Sequence, residues 1–143
     1  MRLMNGQPRY YTFSMPLYIQ LSKSEKGKKY HLNLNNYRNW HYQVSNNLKK
    51  AYKEIAKSKL KTHKFGLMDI TFTLWKKDRR RIDRANPLSI HEKFFCDALT
   101  ELGCIPDDND EYIYSTTYLT GGIDKENPRV DIEIIDHGSV PIE

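Results

Sequence analysis

The chain has 143 residues, 38% of them hydrophobic and 12% aromatic, which suits one domain with a real core and argues against disorder. Its net charge of +5 conceals a division: residues 1–84 carry 20 Lys/Arg against 5 Asp/Glu, whereas residues 85–143 carry 3 against 13. A basic first part attracts polyanions; no basic amphipathic helix with an aromatic face, bilayer-length apolar run or signal-peptide run stands out, so a cytoplasmic protein with no membrane partner is expected.

Met15 to Leu21 (MPLYIQL) reads as a first strand, and Lys23 to Lys29 as a solvated loop. From Asn35 to Leu60 the pattern is helical: Tyr37, Trp40, Val44, Leu48, Ala51 and Ile55 recur at three- and four-residue steps, an apolar stripe that leaves most lysines off it. Residues 61–66 connect to a second strand, Leu67 to Trp75, in which Met68, Ile70, Phe72 and Leu74 share one face. A basic loop over 76–88 ends in Asn86-Pro87. A second helix is expected from Ser89 to Leu102, capped by Ser89 with Glu92 three residues on and stopped by Gly103. After a polar turn (IPDDND), two more strands follow, Tyr112 to Leu119 and Val130 to Ile135, joined by a turn region from Gly121-Gly122 to Pro128. The expected fold is α+β: one domain over residues 1–143, a mixed sheet with two helices on a face, in the order β-α-β-α-β-β. Cys96 and Cys104 lie eight apart without CxxC spacing or a nearby His. They are expected as buried thiols sharing roughly one helix face, in keeping with a reducing compartment.

The basic loop holds the first chemical signal. Lys76, Lys77, Arg79, Arg80, Arg81 and Arg84 crowd six cations into nine positions, with only Asp78 and Asp83 among them. Such a run often forms a solvated surface. Here the mutual repulsion and the bidentate fork of arginine favour contact with the phosphates of a nucleic acid.

Carboxylates supply the second signal. Hydrolysis of a phosphodiester with a divalent metal needs hard oxygen ligands converging from separate elements. Asp83 closes the basic loop, and Asp107 and Asp108 follow the second helix; alone, the latter pair reads as an ordinary polar turn. Lys93 is placed in the first helical turn, where the helix dipole disfavours a cation. It either pairs with Asp97 one turn on or faces the scissile phosphate and offsets its developing charge. Glu92 is a capping residue or a metal ligand. His91 is read as a helix-face residue, and the remaining histidines are scattered.

These residues resemble a known family, the RusA-like Holliday junction resolvases. The resemblance rests on RRR-x-D-x-x-N from Arg79 to Asn86, K-x-x-x-D-A-L-x-x-x-G from Lys93 to Gly103, and the pair Asp107-Asp108. It implies a RusA-like fold and a homodimeric, metal-dependent endonuclease that cuts four-way DNA junctions in recombination and repair. Mg²⁺ would be the ion, with Mn²⁺ a substitute. Carried over, Asp83 matches the first acid of the family's D-x-D-N motif, Lys93 the essential lysine, Asp108 a metal-binding acid with Asp107 its neighbour, and Asp97 the acid one turn after the lysine. The sequence departs in two places. Ala85 stands where the motif's second acid is expected, and the segment from Asn86 to Lys93 is longer, with PLSIHE between them. Glu92 or Asp97 would have to supply the missing ligand. Failing that, the chain binds junctions and cuts them weakly or not at all. A third reading, an RNA-binding domain, would use Tyr112, Tyr114 and Tyr118, which share one parity, as stacking platforms; a half-buried strand is the preferred account of them.

Overall fold

Inward-facing Tyr11, Phe13 and Met15 alternate with exposed Tyr10, Thr12 and Ser14 to form the first strand, β1 (Arg9–Met15). The computed structural model describes residues 7–22 and 27–138. The expected strand from Met15 to Leu21 is thus corrected: β1 ends where that strand should begin. Pro16 has no N–H to give a ladder. Beyond it the chain starts a separate two-stranded sheet, β2 (Tyr18–Gln20) paired antiparallel with β3 (Lys29–His31). Of the loop expected over 23–29, residues 23–26 lie outside the described residues, and Lys29 belongs to β3.

The long helix expected over 35–60 is two helices, α1 (Leu34–Asn39) and α2 (Tyr42–Leu60). Asn33 caps α1 by accepting from the Asn36 N–H at 2.8 Å. Trp40 turns extended, and the His41 ring then accepts from the Gln43 N–H at 3.2 Å to start α2. Two local caps outcompete one continuous ladder. Leu48 of the expected stripe is buried, but the fully buried side of α2 runs through Tyr52, Ala56 and Leu60; Val44, Ala51 and Ile55 pack at its margin.

β4 (Met68–Lys76) follows its expected bounds to within a residue, with Met68, Ile70, Phe72 and Leu74 buried. α3 (Ala85–Glu101) starts four residues before Ser89. Pro87 falls in its first turn, where no N–H is needed for the ladder. Asp83 accepts from the Ala85 N–H at 3.1 Å, so Asp83, and not Ser89, holds the start; the Ser89 hydroxyl donates to the Asn86 carbonyl at 3.4 Å. Lys93 therefore lies mid-helix, away from the positive end of the dipole. Gly103 ends the helix as expected, at φ +77. Cys96 and Cys104 are both buried free thiols, though Cys104 lies beyond α3 and shares no helix face with Cys96.

β5 (Ile113–Ile123) and β6 (Arg129–Asp136) complete a mixed sheet in the order β1-β6-β4-β5. β5 runs on through Gly121-Gly122, so the connection to β6 is shorter than expected. β6 pairs antiparallel with β1 and β4, and β5 is an edge strand parallel to β4, reached by the crossover through α3. The fold is α+β, with three helices and six strands among the described residues where two and four were expected. The core lies between the helices and one sheet face. Phe95 of α3 meets Phe13 of β1 and Phe72 of β4 at centroid distances of 6.3 and 6.2 Å. The opposite sheet face is polar, with Ser14 bonded to Asp131 at 2.8 Å. Among the described residues no helix is long and apolar enough to cross a membrane.

Two irregularities in the β4–β5 register shape the site. Ile113 lies opposite Met68 and Ser115 opposite Asp69, so Tyr114 is an extra, bulged residue, 73% exposed. The bulge reverses parity: Thr116 and Tyr118 turn toward α3, and the shared face expected for Tyr112, Tyr114 and Tyr118 does not exist. The second bulge falls at Gly121, whose backbone lies flat on Trp75. A Cβ there would stand 2.6 Å from the indole.

Candidate nucleic-acid interface and acidic groove

The basic loop leaves the end of β4 and returns to the start of α3. The Lys76 ammonium donates to the Arg80 carbonyl at 2.8 Å, and Asp78 accepts from the Arg80 N–H at 2.9 Å. The Arg84 guanidinium reaches the Thr120 hydroxyl at 3.4 Å. Each loop carboxylate accepts a backbone N–H through one oxygen, Asp78 from Arg80 and Asp83 from Ala85. Among the described residues none of the six cations has an ion-pair partner, and Lys77, Arg79, Arg80, Arg81 and Arg84 are exposed. The loop's positive field therefore faces solvent.

A groove between α3 and the edge strand β5 opens beside this loop. It consists of two open pockets. One, of about 410 Å³, is lined by Glu92, Lys93, Asp97, Asp108, Asp110 and Tyr118 among others. The other, of about 490 Å³, is lined by Ile82, Asp83, Arg84, Ala85, Glu92, Thr116 and Tyr118. Glu92 and Tyr118 belong to both. The Tyr118 hydroxyl donates to Glu92 Oε1, and the Tyr118 ring is held edge-on by Phe72 at 6.2 Å. Burial first, and then this hydrogen bond, push the Tyr118 hydroxyl well above its usual range, so it remains a donor that fixes the carboxylate.

The acids of the first pocket surround Cys96. Burial, followed by the charges of Glu92, Asp108 and Asp97, pushes the Cys96 thiol up to about 12, which removes it as a nucleophile. Lys93 is exposed on the pocket wall and makes no ion pair among the described residues; Asp97, its expected partner, lies 4.0 Å from Lys49 of α2. Asp107 stays out of both pockets. Its carboxylate accepts from the Asp108 N–H at 2.9 Å and from the Asn109 amide at 3.4 Å, shaping the turn that presents Asp108.

Sequence reasoning brought Asp83, Glu92, Lys93, Asp97 and Asp108 to one groove. It missed Tyr118 and Asp110. Asp110 was legible as part of the acidic turn; Tyr118 was not, because its orientation depends on the bulge at Tyr114. His91, expected on a helix face, is fully buried between α2 and α3. Its Nδ1 lies 2.9 Å from the Tyr52 hydroxyl, and burial pushes the ring down to about 3. It cannot serve as a base for a substrate in solvent. Ser115, Asp69 and His137 form a second polar cluster. Asp69 stands in its middle, accepting from the Ser115 hydroxyl at 2.5 Å and facing His137 Nε2 at 2.8 Å. Among the described residues no base contacts the serine except the carboxylate, which is not the order acyl transfer requires.

For a hard divalent cation the donor chemistry is right, since carboxylate oxygens line both pockets. Among the described residues no three His, Cys, Asp or Glu side chains are drawn together closely enough to hold an ion. Compared with protein-family models and with curated proteins, the chain matches none.

Proposed function

We propose that this chain is a Mg²⁺-dependent endodeoxyribonuclease of the RusA-like kind, acting in the cytoplasm as a homodimer on four-way-junction or other branched DNA. One observation carries the reading: Asp83, Ala85 and Glu92 line a single pocket at the foot of an unpaired basic loop. Glu92 is two helical turns beyond Ala85 and therefore on the same side of α3. It supplies the carboxylate that Ala85 lacks, and it also joins this pocket to the one holding Lys93 and Asp108. Asp97, the other candidate, lies toward Lys49.

Arg79, Arg80, Arg81 and Arg84 bind the phosphates flanking the cleavage point and orient the strand along the groove. Glu92 and Asp108, with Asp83 at the loop end, would hold the cation, and Asp97 and Asp110 would add to the negative field. Mg²⁺, when bound, supplies Lewis-acid stabilisation and an activated water. The Tyr118 hydroxyl keeps Glu92 oriented. Lys93 directs its ammonium at the phosphate oxygens, where negative charge grows. Two copies related by a two-fold axis address two strands of a nearly symmetric junction.

A junction-binding protein that cuts weakly or not at all is the second reading, favoured by Ala85 and by carboxylates that are not yet gathered. Cleavage of a synthetic four-way junction separates the two. The wild type is expected to nick symmetrically with Mg²⁺ or Mn²⁺. Asp108→Asn is expected to lose about 100-fold or more, since even outer-shell partners of a metal cost up to about that, while binding the junction at least as well because one negative charge is gone. Binding without cleavage in either metal would sink the nuclease reading.

A further inference from the structure

The loop is not the only unneutralised basic surface beside the groove. α2 carries Lys49, Lys50, Lys53, Lys57 and Lys59 against the single acid Glu54. On a helix with 3.6 residues per turn, Lys49, Lys53, Lys57 and Lys50 fall within an arc of about 100°. That arc adjoins α3. Lys49 lies 4.0 Å from Asp97, which itself lines the groove, and Lys53 lies 3.1 Å from Glu101 one turn further along. Next to them, Lys50 and Lys57 are exposed and make no ion pair among the described residues. Lysines at i,i+3 and i,i+4 repel one another and weaken the helix that carries them, a cost that a bound polyanion removes.

We infer that this face of α2, centred on Lys50, Lys53 and Lys57, is a second phosphate-binding bank, beside the C-terminal half of α3 and so displaced along that helix from the loop at its start, and that it holds the backbone of a duplex DNA arm. The inference rests on the nuclease reading for the identity of the polyanion. From Ala85, where the loop ends, to Asp97, where Lys49 makes contact, α3 rises about 18 Å over twelve residues. That is roughly half of the 34–36 Å turn of a duplex, so one arm lying along α3 reaches both banks beside the acidic groove. The banks hold the backbone and the groove meets the strand to be cut. Lys49 and Lys53 are partly neutralised by α3, which leaves Lys50 and Lys57 to make the phosphate contacts.

The test is the salt dependence of binding to a fluorescein-labelled four-way junction in EDTA, between 50 and 200 mM salt. Compared are the wild type, Lys50→Gln/Lys57→Gln, Lys50→Arg/Lys57→Arg, and Arg80→Ala/Arg81→Ala. Losing two phosphate contacts makes the log–log slope shallower by about 1.8, so the fall in affinity across that salt range shrinks about 12-fold. The glutamine pair is expected to show this, with unchanged thermal melting, and the arginine pair to restore the wild-type slope. A wild-type slope in the glutamine pair, with a shallower one in Arg80→Ala/Arg81→Ala, overturns the second bank and leaves the nuclease reading standing. A wild type that does not bind the junction overturns both.

Discussion

His91 links the stability of the site-bearing helix to pH. Its ring is fully buried between α2 and α3, hydrogen-bonded to Tyr52 through Nδ1, with Nε2 unpartnered, and burial holds it neutral down to about 3 against an ordinary 6.5. The folded ring thus refuses a proton that the unfolded chain accepts. Its contribution to stability is complete above pH 6.5 and drains away as the pH falls toward 3. At pH 4.5, two pH units below the ordinary value, the loss is about 3 kcal/mol, large against a total of about 5–15 kcal/mol. α3 carries Glu92, Lys93 and Asp97, so the groove is lost with the fold. The comparison is with His91→Phe, which keeps a ring and removes the titration. It leaves the Tyr52 hydroxyl without its hydrogen-bond partner and starts lower at neutral pH by about 1–3 kcal/mol. Urea denaturation at pH 7.5 and 4.5 measures both proteins. The wild type is expected to lose about 3 kcal/mol more than the variant over that interval, carboxylate titration being common to both. Equal losses would show that His91 titrates normally, refuting its burial at the α2–α3 junction.

Three further outcomes are expected. Arg80→Ala/Arg81→Ala weakens junction binding and makes its log–log salt slope shallower by about 1.8; fluorescence anisotropy across a salt series reads it. Gly121→Ala places a methyl 2.6 Å from the Trp75 ring and 2.8 Å from Thr73, which destabilises by about 1–3 kcal/mol and lowers the melting temperature measured by circular dichroism. Phe95→Ala empties a site between α3, β1 and β4 and costs about 3–5 kcal/mol in chemical denaturation.

The elements most legible in the sequence are those whose pattern is enforced locally. β4 alternates so strictly that its inward residues follow from period two alone. Gly103 ends α3 because only glycine readily takes the left-handed backbone found there. The start of α3 departs from expectation because Ser89 and Glu92 offer a capping box, yet the helix begins four residues earlier, where the Asp83 carboxylate accepts from the Ala85 N–H and the first turn tolerates Pro87. That shift moved Lys93 from the first turn to mid-helix and freed Glu92 to face the groove. Trp40 and His41 broke the long helix through backbone geometry that an apolar stripe does not report.

By itself the sequence determined the α+β class, the charge division, the basic loop and the acids along 83–108, because composition and short-range spacing settle those. Tertiary structure decided which acids meet. Insertion of β6 between β1 and β4 leaves β5 at the edge, and the bulge at Tyr114 turns Tyr118 onto Glu92. Asp107 is drawn into its own turn while Asp108 faces the groove. The reason is physical: a single extra residue in a strand reverses every later side chain, and no local pattern records the partner strand against which that residue is counted.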